Sequence, residues 1–287
     1  MSDFWTLALG ALALGGVYAL IALGYTMVYG IAKMLNFAHG DIIMVGAYSA
    51  FVTFMLAGMP VWLCIVIAII FCTLLGIGIE KAAYRPLRGS SPLAILITAI
   101  GVSYLMESIV YLAFSSAPKN VVLFPSLQGN PTATALITLG VATALMVALV
   151  LFINYTKIGK AMRAVSEDRG AAQLMGINVN FVIMVTFAIG SSLAAVAAVF
   201  WLMKTPLVTY TMGSLPGIKA FSAAVIGGIG SIPGAMIGGI IMGLIETFCD
   251  SIPGLQSYTM AVEFAILVII LLIRPSGLLG KTKREKV

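Results

Sequence analysis

The run from Phe4 to Ala32 contains no Asp, Glu, Lys or Arg, and it is long enough to cross a bilayer as one helix. A spanning helix needs about 20 apolar residues. Because backbone polar groups in lipid must be satisfied within the segment, such runs are predicted to be helical. Further apolar runs lie at 42–58, 61–79, 93–114, 133–154, 181–203, 218–249 and 257–273. The predicted fold class is therefore an all-α integral membrane protein with about eight hydrophobic helical segments, the first at 5–32.

Only 9% of the 287 residues are charged, whereas soluble domains carry about 25%. A chain so poor in charge cannot cover its surface in water, which excludes a soluble globular protein. A cleaved signal peptide has a basic start and an apolar core of about 7–15 residues. Here Asp3 is the only early charge, so the first segment is interpreted as a retained helix.

Basic residues concentrate in three regions, at 80–92, at 155–180 and in the tail from Arg274. Cytoplasmic segments of membrane proteins carry an excess of Lys and Arg, so all three are predicted to be cytoplasmic. With 5–32 as one full span the N-terminus lies outside, whereas a break at 36–41 inside the membrane would reverse this. Topology and the anionic inner leaflet account for the net charge of +6, and no nucleic-acid partner is needed.

The stretch 218–249 must contribute an even number of crossings, because the regions before and after it are both cytoplasmic. Its residues would reach about 48 Å as one helix, which is short for two full spans of about 30 Å each. Gly227, Gly228, Gly230, Pro233 and Gly234 interrupt it. We therefore expect a broken or re-entrant segment near 227–235, and a second one near 36–41. Paired interruptions of this kind indicate a transport pathway.

The largest predicted cytoplasmic loop combines charges with exposed small and apolar residues, which is typical of docking into a groove on a partner. A helix is expected over 160–175, with Ser166 capping a second short turn. The segment Gly170–Gly176 is similar to the E-A-A-x-x-x-G loop through which ABC importer permeases contact their ATPases, with Gly170 in place of the Glu. Segments 36–41, 227–235 and 274–280 resemble, in order and spacing, the signatures of the branched-chain amino acid permease family, H-type subunit.

This resemblance covers the whole chain and implies a single transmembrane permease domain, 1–287, with a cytoplasmic coupling loop at about 157–178. It implies a bacterial inner-membrane importer with a second, M-type permease, two cytoplasmic ATPase subunits and a periplasmic substrate-binding protein. ATP and Mg²⁺ are then expected on the ATPases and no cofactor on this chain. The implied cargo is leucine, isoleucine or valine, with urea or short amides as the alternative within the family.

The expected site residues follow from these motifs. Coupling to the ATPases is assigned to Arg163, Glu167, Asp168, Ala171, Ala172 and Gly176. The translocation pathway is assigned to Asn36, His39, Asp41, Gly227, Gly228, Gly230, Pro233 and Gly234. No metal site is predicted, because no cluster of His, Cys and carboxylates has metal-ligand spacing.

Carboxylates inside the apolar stretches leave two other functions open. An ion-coupled secondary transporter would use Asp41, Glu107 or Glu263, since intramembrane carboxylates are expensive and often functional. An intramembrane enzyme would enlist His39 with Asp41, but residues at i and i+2 do not share a helix face. Glu107, Glu246 and Glu263 are alternatively structural, hydrogen-bonded to small polar neighbours.

Overall fold

The computed structural model describes residues 2–127 and 130–280, and this part of the chain is almost entirely helical. The helices are α1 (Ser2–Ala32), α2 (His39–Phe51), α3 (Val61–Ile79), α4 (Pro92–Phe114), α5 (Pro131–Tyr155), α6 (Lys157–Glu167), α7 (Arg169–Leu174), α8 (Val179–Lys204), α9 (Ser214–Gly227), α10 (Ile232–Ser251) and α11 (Thr259–Ile273). Short π-helical turns extend α2 over Val52–Leu56 and α3 over Glu80–Tyr84. Two short strands, β1 (Lys119–Asn120) and β2 (Leu207–Val208), pair antiparallel.

Within the described residues, 8 helices are long and apolar enough to cross a membrane. This confirms the predicted all-α membrane fold. Several helices begin where the sequence supplies a cap, and prolines occupy their first turns without loss of a hydrogen bond. The side chains of Ser91, Asn130 and Ser231 each accept a hydrogen bond from a first-turn amide of α4, α5 and α10 respectively.

Helices α1 and α8 form the centre of the bundle, while α4, α5 and α11 lie at its periphery with most of their surface exposed. Small residues allow α1 and α10 to approach closely as an antiparallel pair. A Cβ atom at Gly15 would lie 2.8 Å from the Ile240 Cα, and one at Gly239 or Gly243 would clash with the α1 backbone. Close packing of small residues replaces the hydrophobic effect as the force that joins helices in lipid.

The predicted cytoplasmic regions lie together at one end of the bundle. Arg169 of the coupling loop contacts the last residue of α1, and Arg88 donates to Asn180 at the start of α8. The β1–β2 pair lies at the opposite end of α4 and α8, on the side where α1 begins. The basic residues at 281–286, assigned to the cytoplasmic tail, lie outside the described residues.

The structure corrects the lengths of the interrupted segments. The stretch assigned to 218–249 begins earlier, at Ser214, and is unequal: α9 has 14 residues and α10 has 20. Only α10 is long enough to span alone, since 14 residues of helix reach about 21 Å. The interruption expected near 36–41 occupies 33–38 instead, so His39 and Asp41 lie inside α2.

Candidate translocation and coupling sites

The first interruption starts at Lys33, which has the unusual positive φ of 52° directly after α1. The chain then turns back into the bundle. The Tyr84 hydroxyl donates a 2.8 Å hydrogen bond to the buried Asn36 side chain, and the Asn36 carbonyl accepts from the His39 amide. His39 itself contacts Gly24, two turns before the end of α1. Helix α2 therefore begins about 12 Å inside the level at which α1 ends.

Helix α9 begins beside the start of α2, although it enters from the opposite side. A Cβ atom at Gly213 would clash with the Gly40 carbonyl, and one at Gly217 would lie 2.9 Å from the Gly40 Cα. Neither helix has a side-chain cap at this end. The N-termini of α2 and of the short helix α9 thus meet inside the bundle without side-chain caps, where the helix dipole favours negative charge. This meeting point is called the half-helix junction.

Carboxylates surround this junction. Asp41 is 1% exposed, and Ser103 of α4 lies beside its carboxyl group. The Ser214 hydroxyl, in the first turn of α9, donates a 2.5 Å hydrogen bond to Glu107. Asp41 and Glu107 therefore both lie next to the start of α9. Each has a serine from another helix beside its carboxyl group.

Glu246 and Glu263 belong to a separate cluster whose basic member the sequence analysis did not identify. Lys219 of α9 lies 2.9 Å from Glu246 and 3.1 Å from Glu263. The Tyr18 hydroxyl of α1 donates a 2.5 Å hydrogen bond to Glu246. Together these two ion pairs and the hydrogen bond join four helices, α1, α9, α10 and α11. The signal for these ion pairs was present as a lone lysine in an apolar stretch, which requires a buried acidic partner.

The second interruption, at 228–231, lies at the same end of the bundle as the coupling loop and not at the half-helix junction. Gly228 and Gly230 have positive φ values, 104° and 96°. The amides of Leu278 and Leu279 donate to the last carbonyls of α9, while the Gly230 Cα packs on Gly30. Pro233 and Gly234 lie in the first turn of α10. The glycines here permit close backbone contact within the chain.

The coupling loop is a pair of short helices. Its second helix is capped by Asp168, whose side chain accepts from the Ala171 amide; the expected cap, Ser166, instead donates to the Arg163 carbonyl within α6. The six-residue α7 ends at Leu174, and Met175 follows it; their side chains are 90% and 82% exposed. Gly176 follows with a φ of 82°.

The remaining coupling residues fall on two sides of this pair. Arg163, Glu167, Ala171 and Gly176 are exposed, whereas Ala172 is buried in the core of the chain itself. Ala172 thus packs against its own bundle and does not face outward.

One contact from each of the two basic loops at this end joins that loop to the bundle. The Arg169 side chain donates to the Ala32 carbonyl at the end of α1. Arg88 forms an ion pair with the buried Glu80. Burial lowers the pKa of Arg88, and the Glu80 carboxylate opposes that shift. Among the described residues, no group of His, Cys, Asp and Glu is arranged to hold a metal ion.

Comparison with known proteins identifies the family. The family described as "Branched-chain amino acid transport system / permease component" matches residues 7–271. The chain belongs to this family. It is therefore a permease component, a transport subunit rather than an enzyme, and a multi-pass inner-membrane protein. Membership confirms the interpretation as an ABC importer permease and favours it over an ion-coupled transporter.

Individual relatives agree with this assignment. The chain is 45% identical to the high-affinity branched-chain amino acid transport system permease protein BraD of Pseudomonas aeruginosa, over 96% of this chain and 95% of BraD. It is 41% identical to the corresponding permease LivH of Escherichia coli K12, over 96% of this chain and 94% of LivH. PsaBC from Streptococcus pneumoniae, solved in complex with Fab, shares the fold with a TM-score of 0.51 at 17% identity, over 93% of this chain and 91% of that one.

Proposed function

We propose that this chain forms one half of the translocation pathway of an ABC importer that carries leucine, isoleucine and valine across the inner membrane. The observation that carries the proposal is the meeting of α2 and α9 inside the bundle, with Gly40 against Gly213 and Gly217. Irregular backbone at membrane depth is tolerated only where protein or a water-filled cavity surrounds it. Discontinuous helices whose ends meet near the midplane are typical of transport sites.

Two levels of the pathway are distinguished by depth. Asn36, His39 and Asp41 lie at or near the start of α2, within the bundle. The second group lies at the cytoplasmic end, where the pathway would open inward: Gly227, Gly228, Gly230, Pro233 and Gly234. Since the second group packs on 276–280 in this state, inward opening requires α9 and α10 to separate from that segment.

The exposed tip of α7 is the surface proposed to dock on an ATPase. Leu174 and Met175 project from the cytoplasmic end of a protein whose apolar surface otherwise faces lipid. Large exposed apolar side chains in an aqueous loop mark an interaction site. Arg163, Glu167, Asp168, Ala171 and Gly176 border this tip, and Ala172 anchors it from beneath.

The proposed complex contains this chain, an M-type permease, two cytoplasmic ATPases and a periplasmic binding protein. ATP and Mg²⁺ bind to the ATPases, whose closure moves the α6–α7 pair and rocks the helices around the half-helix junction. This assignment is supported by the family membership and by the names of the two relatives.

Reconstitution tests the proposal. The chain expressed in its native cell should co-purify with ATPase subunits, and the complex in proteoliposomes should take up labelled leucine with ATP and the loaded binding protein. Labelled urea and acetamide serve as alternative cargoes. Met175→Asp should abolish uptake, because it places a charge in an apolar docking contact. Met175→Leu should preserve uptake, because it keeps the side chain apolar. Uptake of urea but not leucine would refute the substrate, and purification without ATPases would refute the importer.

A further inference from the structure

Asp41 and Glu107 differ from the other two membrane carboxylates in having no basic partner. Glu246 and Glu263 share Lys219, whereas the described ion pairs include neither Asp41 nor Glu107. One Asp41 carboxyl oxygen is buried without any hydrogen-bond partner. An unpaired carboxylate at this depth is costly unless a cationic group neutralises it. The missing partner is therefore expected to come from a ligand.

An apolar cavity of about 410 Å³ begins one helical turn outward from these carboxylates. Val45 on α2 lies one turn beyond Asp41, and Met106 and Val110 flank Glu107 on α4. The cavity also reaches α3 through Ile67 and Phe71. Its lining is therefore aliphatic and aromatic on three sides, with the acidic pair at its inner edge.

One polar group in this lining also has no partner. Tyr48 is 3% exposed and lines the cavity, yet its hydroxyl has no hydrogen-bond partner. Buried tyrosine hydroxyls usually find one. Two unpartnered buried oxygens, on Asp41 and on Tyr48, therefore lie on α2 next to the same space. This second observation distinguishes the site from a packing defect, which would be purely apolar.

We propose that this space binds an aliphatic α-amino acid, with its ammonium group on Asp41 and Glu107 and its branched side chain in the cavity. The inference rests on the proposed function and names the residues that contact the transported amino acid. An ammonium group carries three donors, which suit two carboxylates and the serine hydroxyls beside them.

The position of the acidic pair at the inner edge of the apolar cavity argues against a lipid chain as the occupant. A lipid acyl chain would fill the apolar cavity, but its charged head group would remain at the membrane surface and leave both carboxylates unpaired. A zwitterionic amino acid satisfies the acidic pair and the apolar space together. A carboxylate without an amine would be repelled by Asp41 and Glu107.

Direct binding to the purified full complex tests the proposal without the binding protein. Tritiated leucine should bind saturably, and Asp41→Asn or Glu107→Gln should weaken that binding at least about tenfold, as expected for loss of a buried charged partner. Glu246→Gln is the matched control, because it removes a membrane carboxylate already paired with lysine. Isoleucine should compete, whereas 4-methylpentanoate, which lacks the ammonium group, should not.

A second variant tests the cavity separately. Val110→Trp should reduce leucine binding by filling the space, and an equal change in alanine binding would point to general damage and contradict the assignment. Absence of saturable leucine binding to a complex that still imports leucine would overturn this inference alone. Loss of a co-purified lipid in Val110→Trp with unchanged leucine binding would assign the cavity to lipid. Failure of the unmodified complex to import leucine would instead overturn the proposed function.

Discussion

The guanidinium group of Arg169 donates a hydrogen bond to the carbonyl oxygen of Ala32, so the first residue of α7 is joined to the last residue of α1. Lys33, the next residue, has a positive φ and begins the interrupted segment that leads to α2. A charged side chain of the coupling loop thus contacts the backbone at the point where α1 ends. Helix ends leave carbonyls unsatisfied, and a cation there also complements the dipole.

Arg169→Ala should uncouple ATP hydrolysis from transport. A hydrogen bond from a charged group contributes about 1.5–3 kcal/mol, so uptake should fall about tenfold or more if this contact transmits the motion. Stimulation of ATPase activity by loaded binding protein should fall with it, while assembly persists. Arg85→Ala is the control, since Arg85 is an exposed arginine at the same end of the bundle and lies outside the coupling loop. Equal uptake by the two variants would show that the contact does not carry coupling.

Lys219→Met should destabilise the protein strongly. Breaking a buried ion pair from one side costs about 3–5 kcal/mol, because the remaining charges stay buried and unpaired. Here two carboxylates would be left facing each other. Thermal unfolding in detergent should shift to lower temperature, and adding Glu246→Gln and Glu263→Gln should recover part of the loss. Lys160→Met, at an exposed position of α6, should have little effect. If the triple variant is no more stable than Lys219→Met alone, the pairing is not the cause.

The sequence was sufficient for the spans, because they depend on local composition. It was not sufficient for the exact place of the first interruption. Helix α2 begins at His39 because that side chain fits against Gly24 on α1, a contact between segments that periodicity does not encode. For Lys219, the sequence shows only that a lone lysine in an apolar stretch needs an acidic partner. It does not show which one, because Glu246 and Glu263 lie on other helices.

The coupling loop shows the same limit on a smaller scale. Its charged and small residues predicted a docking loop, but Ser166 and Asp168 are both good caps, and only the fold selects Asp168. Ala171 and Ala172 are adjacent and alike in sequence, yet one is exposed and the other buried. Side-chain direction on so short a helix depends on what it packs against.

Gly213→Val should prevent correct assembly of the half-helix junction. A side chain at this position would collide with the Gly40 carbonyl and with the Asp41 Cα behind it, and neither backbone atom can move without shifting α2. Transport should be lost, and the yield of folded protein in detergent should fall. Gly101→Val on α4 is the matched control, because a Cβ atom there meets nothing within 4 Å. Full transport by Gly213→Val would mean that α2 and α9 are not closely apposed in the working protein.

Positions 119 and 157 should be accessible to a labelling reagent from opposite faces of the membrane. Lys119 lies in β1, paired with Val208, and Lys157 begins α6 at the same end as the basic loops. The three native cysteines are free and buried, so replacing them with alanine gives a background for single substitutions.

With Lys119→Cys, a membrane-impermeant maleimide should react in right-side-out vesicles and not in inside-out vesicles. Lys157→Cys should give the reverse. Because basic loops are retained in the cytoplasm, labelling of both positions from one face would invalidate the topology, and with it the placement of the α7 tip beside the ATPases.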